Sequence, residues 1–417
     1  MARASHLKPV DLDSDDEAQP TSPWFPVMDG IDPAKDHVRN TEALCKFYRV
    51  SVWYNLMRHD LEVSVPGRAL AMERRANCSV DWVENRAAEH RLARAPVVKH
   101  LQELAVEYHP VLEWVSSAPW DGFDRMPQFL ASIELQAGAD PKWCGLLIKR
   151  WLLGAAASLL PEFEQDGVEL QGVLVAQGEQ GRGKSRWLKS LVKDRNWVLS
   201  GETIDPSNRD STQRATSVWL CELGEVDATF RKADIAALKA FVTRPDDVYR
   251  SAYARREERV RRRTVFFASV NEEEYLVDRS GNRRWWTVPV ERCHPDHSTD
   301  MQQLWAQMVH EVRHQERWWL DDAETEQLRA SNLRHEQEDL LKSLVTQYWT
   351  PLREGEDVTY EWRTLAEVCT AIPQLSGRLP TAAEVNRLAS TLRELGAAKR
   401  RDKLGVRYLL RRVHTGS

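Results

Sequence analysis

The spacing of apolar residues changes character along the chain, and each change predicts a different kind of element. From Thr41 to about Arg125 short mixed elements alternate, with FYRVSVWY (Phe47 to Tyr54) reading as a strand and the stretch from Val80 to Val106 as helical. Pro119-Trp120-Asp121-Gly122 reads as a turn between two helices, and helical spacing then runs from about Met126 to Leu160, where Pro161 stops it. Beyond that point the pattern becomes short, fully apolar runs: Val173 to Ala176, Trp197 to Leu199, Val218 to Cys221, Val265 to Val270 and Trp285 to Val290. Strands that are apolar on both sides belong to a mostly parallel sheet covered by helices on both faces, so the middle of the chain is expected to be α/β. Met301, Leu304, Trp305, Met308, Val309 and Val312 follow at helical spacing and predict a helix packed on a core by one face. Asp321 to Asp339 is polar and Glu-rich, and reads as a linker or an exposed helix. At the end, a helix-like Glu384 to Gly396 precedes AAKRRDKLGVRYLLRR, in which Leu404-Gly405 can turn a hairpin; this order is that of a winged helix.

The domain organisation expected from these patterns is a disordered tail (1–35), a small α+β accessory domain (36–125), the α/β core with its preceding helices (126–298), a helical segment and linker (299–340) and a winged-helix-like domain (341–417). A chain of 417 residues is long enough for such a division, each part burying its own core. The acidic, proline-containing tail has too few apolar residues to offset the entropy of ordering it. The longest mostly apolar run, Trp151 to Leu160, falls far short of the roughly 18 residues that a membrane span needs. No secretory core precedes the acidic run, so a cytoplasmic location is expected, with no membrane partner. The six cysteines stand singly and read as reduced core thiols rather than zinc ligands. Seventeen tryptophans inside amphipathic patterns read as core. A formal net charge of -5 argues against wholesale coating of nucleic acid, but conceals local basic clusters.

The strongest chemical signal is Gly178-Glu-Gln-Gly181-Arg-Gly183-Lys184-Ser185, which fits G-x-x-x-x-G-K-[ST] between an apolar strand and a helix. Its glycines let backbone N–H groups face phosphate oxygens, Lys184 reaches the β and γ phosphates, and Ser185 ligates magnesium. The core is therefore expected to be a P-loop NTPase that uses ATP and Mg2+. Glu222, at the end of the run Val218 to Cys221, is the candidate metal-side acid, and Glu225 is placed to polarise an attacking water. Asn271 ends the strand Val265 to Val270, where an amide can hold a water or a γ-phosphate oxygen. Between these strands lies the densest positive charge in the chain: Arg250, Arg255, Arg256, Arg259, Arg261, Arg262 and Arg263, with Tyr249 and Tyr253 interleaved. That composition favours a phosphate contact tracking a DNA strand over the alternative of a solvated face paired with acids. Arg283 and Arg284 sit on a loop before the final strand, either salt-bridged internally or acting on a neighbouring subunit's nucleotide. Lys399, Arg400, Arg401 and Lys403 would line the wing and contact duplex DNA.

Taken in this order, the P-loop, the ELGE acids, the stretch from Lys239 to Arg255, Asn271 and GNRRWW resemble the virulence-associated protein E family of phage and mobile-element ATPases. That family is similar to superfamily 3 helicases and poxvirus-type primase-helicases. The resemblance runs from about Arg49 to Leu320 and includes the HPV...WDG...R segment at His109 to Arg125. It implies an AAA+-like superfamily 3 core in which Lys184 and Ser185 serve as Walker A, Glu222 and Glu225 as the Walker B region and Asn271 as sensor. It also implies that Lys239, Asp247, Arg250 and Tyr253 match the family's K...D..R..Y stretch, that Arg283 or Arg284 is the arginine finger, and that the assembly is a homo-hexameric ring. The second acid does not adjoin the first as in many superfamily 3 members. Fewer than about 110 residues precede the HPV segment, so priming is expected of a separate primase. The expected function is an ATP-dependent DNA helicase or translocase in phage or mobile-element replication, with single-stranded DNA in the ring. The alternatives are a nucleotide-switched initiator or loader that does not unwind, and a small-molecule kinase, for which no lid or acceptor site is visible.

Overall fold

The computed structural model describes residues 22–67, 72–163, 168–202, 204–224, 235–249, 258–271, 275–276, 282–335, 345–352, 361–372, 385, 388–389, 391–393, 395–402 and 405–413. The chain forms two compact units, one from residues up to 273 with 280–332, the other from 274–279 with 333–417. Among the described residues no helix is long and apolar enough to cross a membrane.

Within the stretch 1–35 expected to be a disordered tail, Met28–Asp29 pairs antiparallel with Asp32–Pro33 and Phe25 joins the first core; α1 (Val38–Phe47) follows and ends on the first residue of the run expected to be a strand. Arg49 takes a left-handed φ of 53°, Val50 N–H returns to Cys45 O at 2.8 Å, and only then does β1 (Ser51–Asn55) begin. A helix ending in a left-handed residue turns the chain sharply, which apolar periodicity alone does not signal. β2 (Asp60–Ser64) pairs antiparallel with β1. The stretch expected to be helical divides into α2 (Met72–Glu89) and α3 (Val97–Leu104), with β3 (Val106–Tyr108) parallel to β1. Leu44, Val52, Val63, Val83 and Leu101 form their own small core.

α4 (Pro110–Val115) starts at His109, whose Nδ1 accepts Leu112 N–H at 3.3 Å, and α5 (Met126–Leu130) follows. A three-residue strand, β4 (Ile133–Leu135), lies inside the stretch read as helices, because so short a segment carries no usable period. α6 (Pro141–Ala157) is capped by Asp140 and buried on nearly all sides.

The central sheet is then laid down by β5 (Val173–Gln177), α7 (Lys184–Ser190), β6 (Val198–Glu202), α8 (Arg209–Ala215), β7 (Leu220–Leu223) and α9 (Ile235–Val242). After a hairpin of β8 (Asp246–Tyr249) and β9 (Glu258–Arg261) come β10 (Val265–Val270) and β11 (Trp285–Cys293). The six-stranded order is β4-β11-β5-β10-β7-β6, with β4 antiparallel and every other pair parallel. The result is a mixed α/β fold containing a parallel sheet. β5 and β7 are buried along their whole length, as their unbroken apolar runs require. α6 and α10 (Met301–Arg313) pack on it through tryptophans whose indole N–H groups find carbonyls: Trp151 to Phe266 O (2.8 Å), Trp219 to Ala155 O (3.3 Å) and Trp305 to Leu191 O (2.8 Å). The polar segment after it contains α11 (Asp322–Asn332), which buries Leu328 and Asn332. Its start is fixed reciprocally, Glu324 N–H to Asp321 Oδ1 and Asp321 N–H to Glu324 Oε2. All six cysteines are free thiols, and all but Cys78 are buried.

In the second unit β12 (Trp349–Pro351), β13 (Glu361–Thr364) and β14 (Lys399–Asp402) all pair antiparallel with β15 (Gly405–Arg412), and α12 (Leu365–Ala371) opens on a Thr364/Glu367 capping box. Trp349, Val368, Leu388, Leu392 and Tyr408 share its core. Asp402 stands opposite Gly405, so Gly405 belongs to a strand of the hairpin, while Lys403 and Leu404 lie outside the described residues.

Candidate functional site

The sheet order itself creates a crevice. The connection from β5 crosses to β6 at one edge, whereas the connection from β10 leads the opposite way to β11; yet β5 and β10 are direct neighbours. In an open α/β sheet such a switch in the direction of the connections is where a crevice is expected, beyond the carboxyl ends of the two neighbouring strands. The residues with chemical character converge there. Gln177 and Val270 are register partners at the strand ends, and Gly178 N–H donates to Val270 O at 3.0 Å.

From Gly178 the chain curls against β11. A Cβ at Gly178 would lie 2.1 Å from Val290 O, and one at Gly183, which has a φ of 86°, would lie 2.4 Å from Cys293 O. Only glycine fits either place, and Cys293 N–H ties the loop down through Arg182 O at 2.8 Å. The curl delivers Lys184 into the crevice, 6% exposed. Its ammonium donates to Gly178 O, to Glu179 O (2.9 Å), to Val270 O (3.3 Å) and to Asn271 Oδ1 (3.1 Å). Burial lowers the Lys184 pKa, against an opposing influence of Cys293 and Glu222. Burial also pushes the Cys293 thiol up to about 12, so it is an inert wall of the site.

Beside the lysine, Ser185 Oγ donates to Glu222 Oε1 at 2.6 Å, and Ser269 Oγ donates to the same oxygen at 2.8 Å. Glu222 is 2% exposed, and among the described residues its Oε2 has no hydrogen-bond partner. A buried carboxylate with one unsatisfied oxygen, next to a serine hydroxyl, is a hard-oxygen donor set of the kind magnesium takes, so these residues fit that ion. No group of three or more His, Cys, Asp or Glu side chains is placed to hold a metal ion elsewhere among the described residues. Lys184, Ser185, Glu222 and Asn271, called from the sequence, are thus within one hydrogen-bonded cluster. Ser269 was missed; a lone serine in an apolar strand gives no signal, although its position two residues before Asn271 puts it on the same face of β10.

Other sequence-derived candidates fall elsewhere. Glu225, Arg250, Tyr253, Arg255, Arg256 and Lys403 lie outside the described residues. Lys239, expected to contact DNA, is 5% exposed in α9. Several neighbouring arginines have internal partners. Arg261 donates to Ala157, Ser158 and Leu160 carbonyls at the end of α6, and Arg259 pairs with Asp246. Arg262 is buried between the Phe241 and Phe266 rings and paired with Asp247. Asp247 therefore anchors the β8–β9 hairpin. Arg283 is exposed, whereas Arg284 is half-buried with Nε 3.5 Å from Thr243 Oγ1, its pKa lowered by burial and by Arg283. Lys399, Arg400 and Arg401 are exposed on β14, with the Arg400 guanidinium 4.3 Å above the Trp362 ring.

No curated protein matches this chain. Among solved structures it is similar to one titled "The apo structure of NrS-1 C terminal region (305-718)", at 13% identity and a TM-score of 0.39, over 90% of this chain and 99% of that one. It is also similar to an A form of the same region, at 12% identity and a TM-score of 0.38, over 89% of this chain and 99% of that one. A family model, the virulence-associated protein E-like domain, matches residues 115–337, which include the glycine loop, Glu222, Asn271 and both arginines. Since that match takes in more than half of the 417 residues, the chain belongs to the virulence-associated protein E-like domain family.

Proposed function

We propose that this chain is an ATP-hydrolysing, DNA-translocating motor of the superfamily 3 type, with a P-loop NTPase core and a winged-helix-like C-terminal domain. It acts in the replication of a phage or mobile element and works as a ring, as a homo-hexamer, with single-stranded DNA inside and a separate primase. Membership of the family supports this reading. The observation that carries it is the convergence of Lys184, Ser185, Glu222 and Asn271 from three strand ends on one crevice.

Each residue has a task that its surroundings favour. Lys184 is held by carbonyl oxygens and one amide, all weaker acceptors than a phosphate, so an incoming triphosphate captures its ammonium. Ser185 and Glu222 would hold magnesium, which supplies neutralisation of phosphate charge when bound. Asn271, released from Lys184, is placed to hold the attacking water or a γ-phosphate oxygen. Arg283, exposed ahead of β11, completes a neighbour's site where charge builds up in the transition state. The exposed cations of β14 contact the backbone of duplex DNA.

The test is steady-state ATP turnover with and without single-stranded DNA. Wild type is expected to hydrolyse ATP and to be stimulated by DNA, and Lys184→Ala to lose turnover at least 10³-fold while keeping its melting temperature. Retained hydrolysis in Lys184→Ala would remove the P-loop assignment.

A further inference from the structure

The turn that carries Arg283 and Arg284 is held by one buried side chain from a distant element. Asn332, the last residue of α11, is 1% exposed. Its Nδ2 donates to Asn282 O and to Trp285 O, both at 2.9 Å, and its Oδ1 accepts from Thr287 Oγ1 at 3.2 Å. One amide therefore clamps both ends of the helical turn Asn282–Arg284 and the first residues of β11. Between those points Trp286 Nε1 donates to Arg283 O at 3.2 Å. The Trp286 ring fits there because Gly172 has no Cβ, which would stand 2.1 Å away.

Apolar packing would need only a leucine here, as at Leu328 one turn earlier, whereas a buried amide is tolerated only when its donors and acceptor are all used. Both N–H donors of Asn332 go to the two ends of this turn, and its oxygen accepts from Thr287 in β11. With its carbonyls tied, the turn's arginine side chains are sent to different places: Arg283 outward to solvent, Arg284 back toward Thr243 at the end of α9.

We propose that Asn332 is the positioning residue for Arg283, that Arg283 is the arginine delivered to a neighbouring subunit's nucleotide, and that Arg284 is an internal brace. This rests on the ring reading above and divides the two arginines into separate roles.

Complementation between inactive variants tests it. Lys184→Ala mixed with Arg283→Ala is the reference pair: with co-assembly demonstrated, part of the ATPase activity should return at interfaces joining an intact lysine to an intact arginine. If this reference pair stays dead, the ring reading itself fails. If it recovers, Asn332→Asp, which keeps the side chain's size but loses both donors, should fall into the Arg283 class. Alone it should lose about 10²-fold in kcat, bind a fluorescent ATP analogue within about threefold of wild type, regain activity with Lys184→Ala and gain none with Arg283→Ala. Asn332→Ala should behave alike, and Arg284→Ala should keep more than a tenth of wild-type kcat. Recovery with neither partner or with both, or unfolding of both Asn332 variants, overturns the positioning role. A kcat for Arg284→Ala as low as that of Arg283→Ala overturns the division between the arginines.

Discussion

The Glu222 carboxyl group is buried with one oxygen shared by Ser185 and Ser269 and the other unpartnered among the described residues, as the proposed magnesium site requires. Glu222→Gln keeps the shape and removes the charge; magnesium-dependent ATP turnover should fall at least 10²-fold, and titration with magnesium should not restore it. A second residue makes a pH prediction. Burial and then the Arg263 charge push the His109 pKa down to about 3, and its neutral Nδ1 caps α4. The folded state thus prefers the neutral ring: this contribution is complete above about pH 6.5 and is lost as pH falls toward 3. Between pH 7 and pH 5 it amounts to about 2 kcal/mol. His109→Asn, which can still cap but does not titrate, should show a correspondingly shallower loss of stability in denaturant melts at the two pH values. Lys184 and Ser185 were legible because eight consecutive residues suffice to build their loop. The pairing of Glu222 with Ser269 was not, because it depends on which strand lies next to which.

At the scale of elements, the arginine run shows where charge counting fails. Its density invited a DNA face, but Arg262 lies between two rings and pairs with Asp247, fifteen residues earlier in sequence and adjacent only once the β8–β9 hairpin has formed. Removing one partner of a buried pair leaves the other uncompensated, so Asp247→Ala should cost about 3–5 kcal/mol in urea unfolding. A cost below 1 kcal/mol would return Arg262 to the pool of DNA contacts. The C-terminal hairpin is a different case, since Lys399, Arg400 and Arg401 are exposed. Neutralising these three with Lys403 should reduce the slope of log affinity for duplex DNA against log salt by up to about 3.6, while basal ATP turnover stays within twofold. An unchanged slope would remove this hairpin from the DNA interface. The α/β class was readable from unbroken apolar runs. β4 and the end of α1 inside the run read as a strand were not, because three-residue strands and left-handed residues after a helix leave no periodic trace.

For the whole molecule, the decisive feature is the order β11-β5-β10-β7, which places the glycine loop, Asn271 and Glu222 at adjacent strand ends although about ninety residues separate the first from the second. No local pattern contains that order, yet without it the motif residues would be scattered. On the proposed function a site so assembled would bind and hydrolyse a nucleotide, and what would make it a motor is turnover that moves DNA. ATP-dependent strand displacement on a forked duplex measures that most directly, with wild type and Lys184→Ala compared at equal DNA occupancy. The account predicts displacement by wild type only when ATP and magnesium are both present, and none by Lys184→Ala. Hydrolysis by wild type with no displacement on forks of either polarity would contradict it and leave a nucleotide-switched loader in its place.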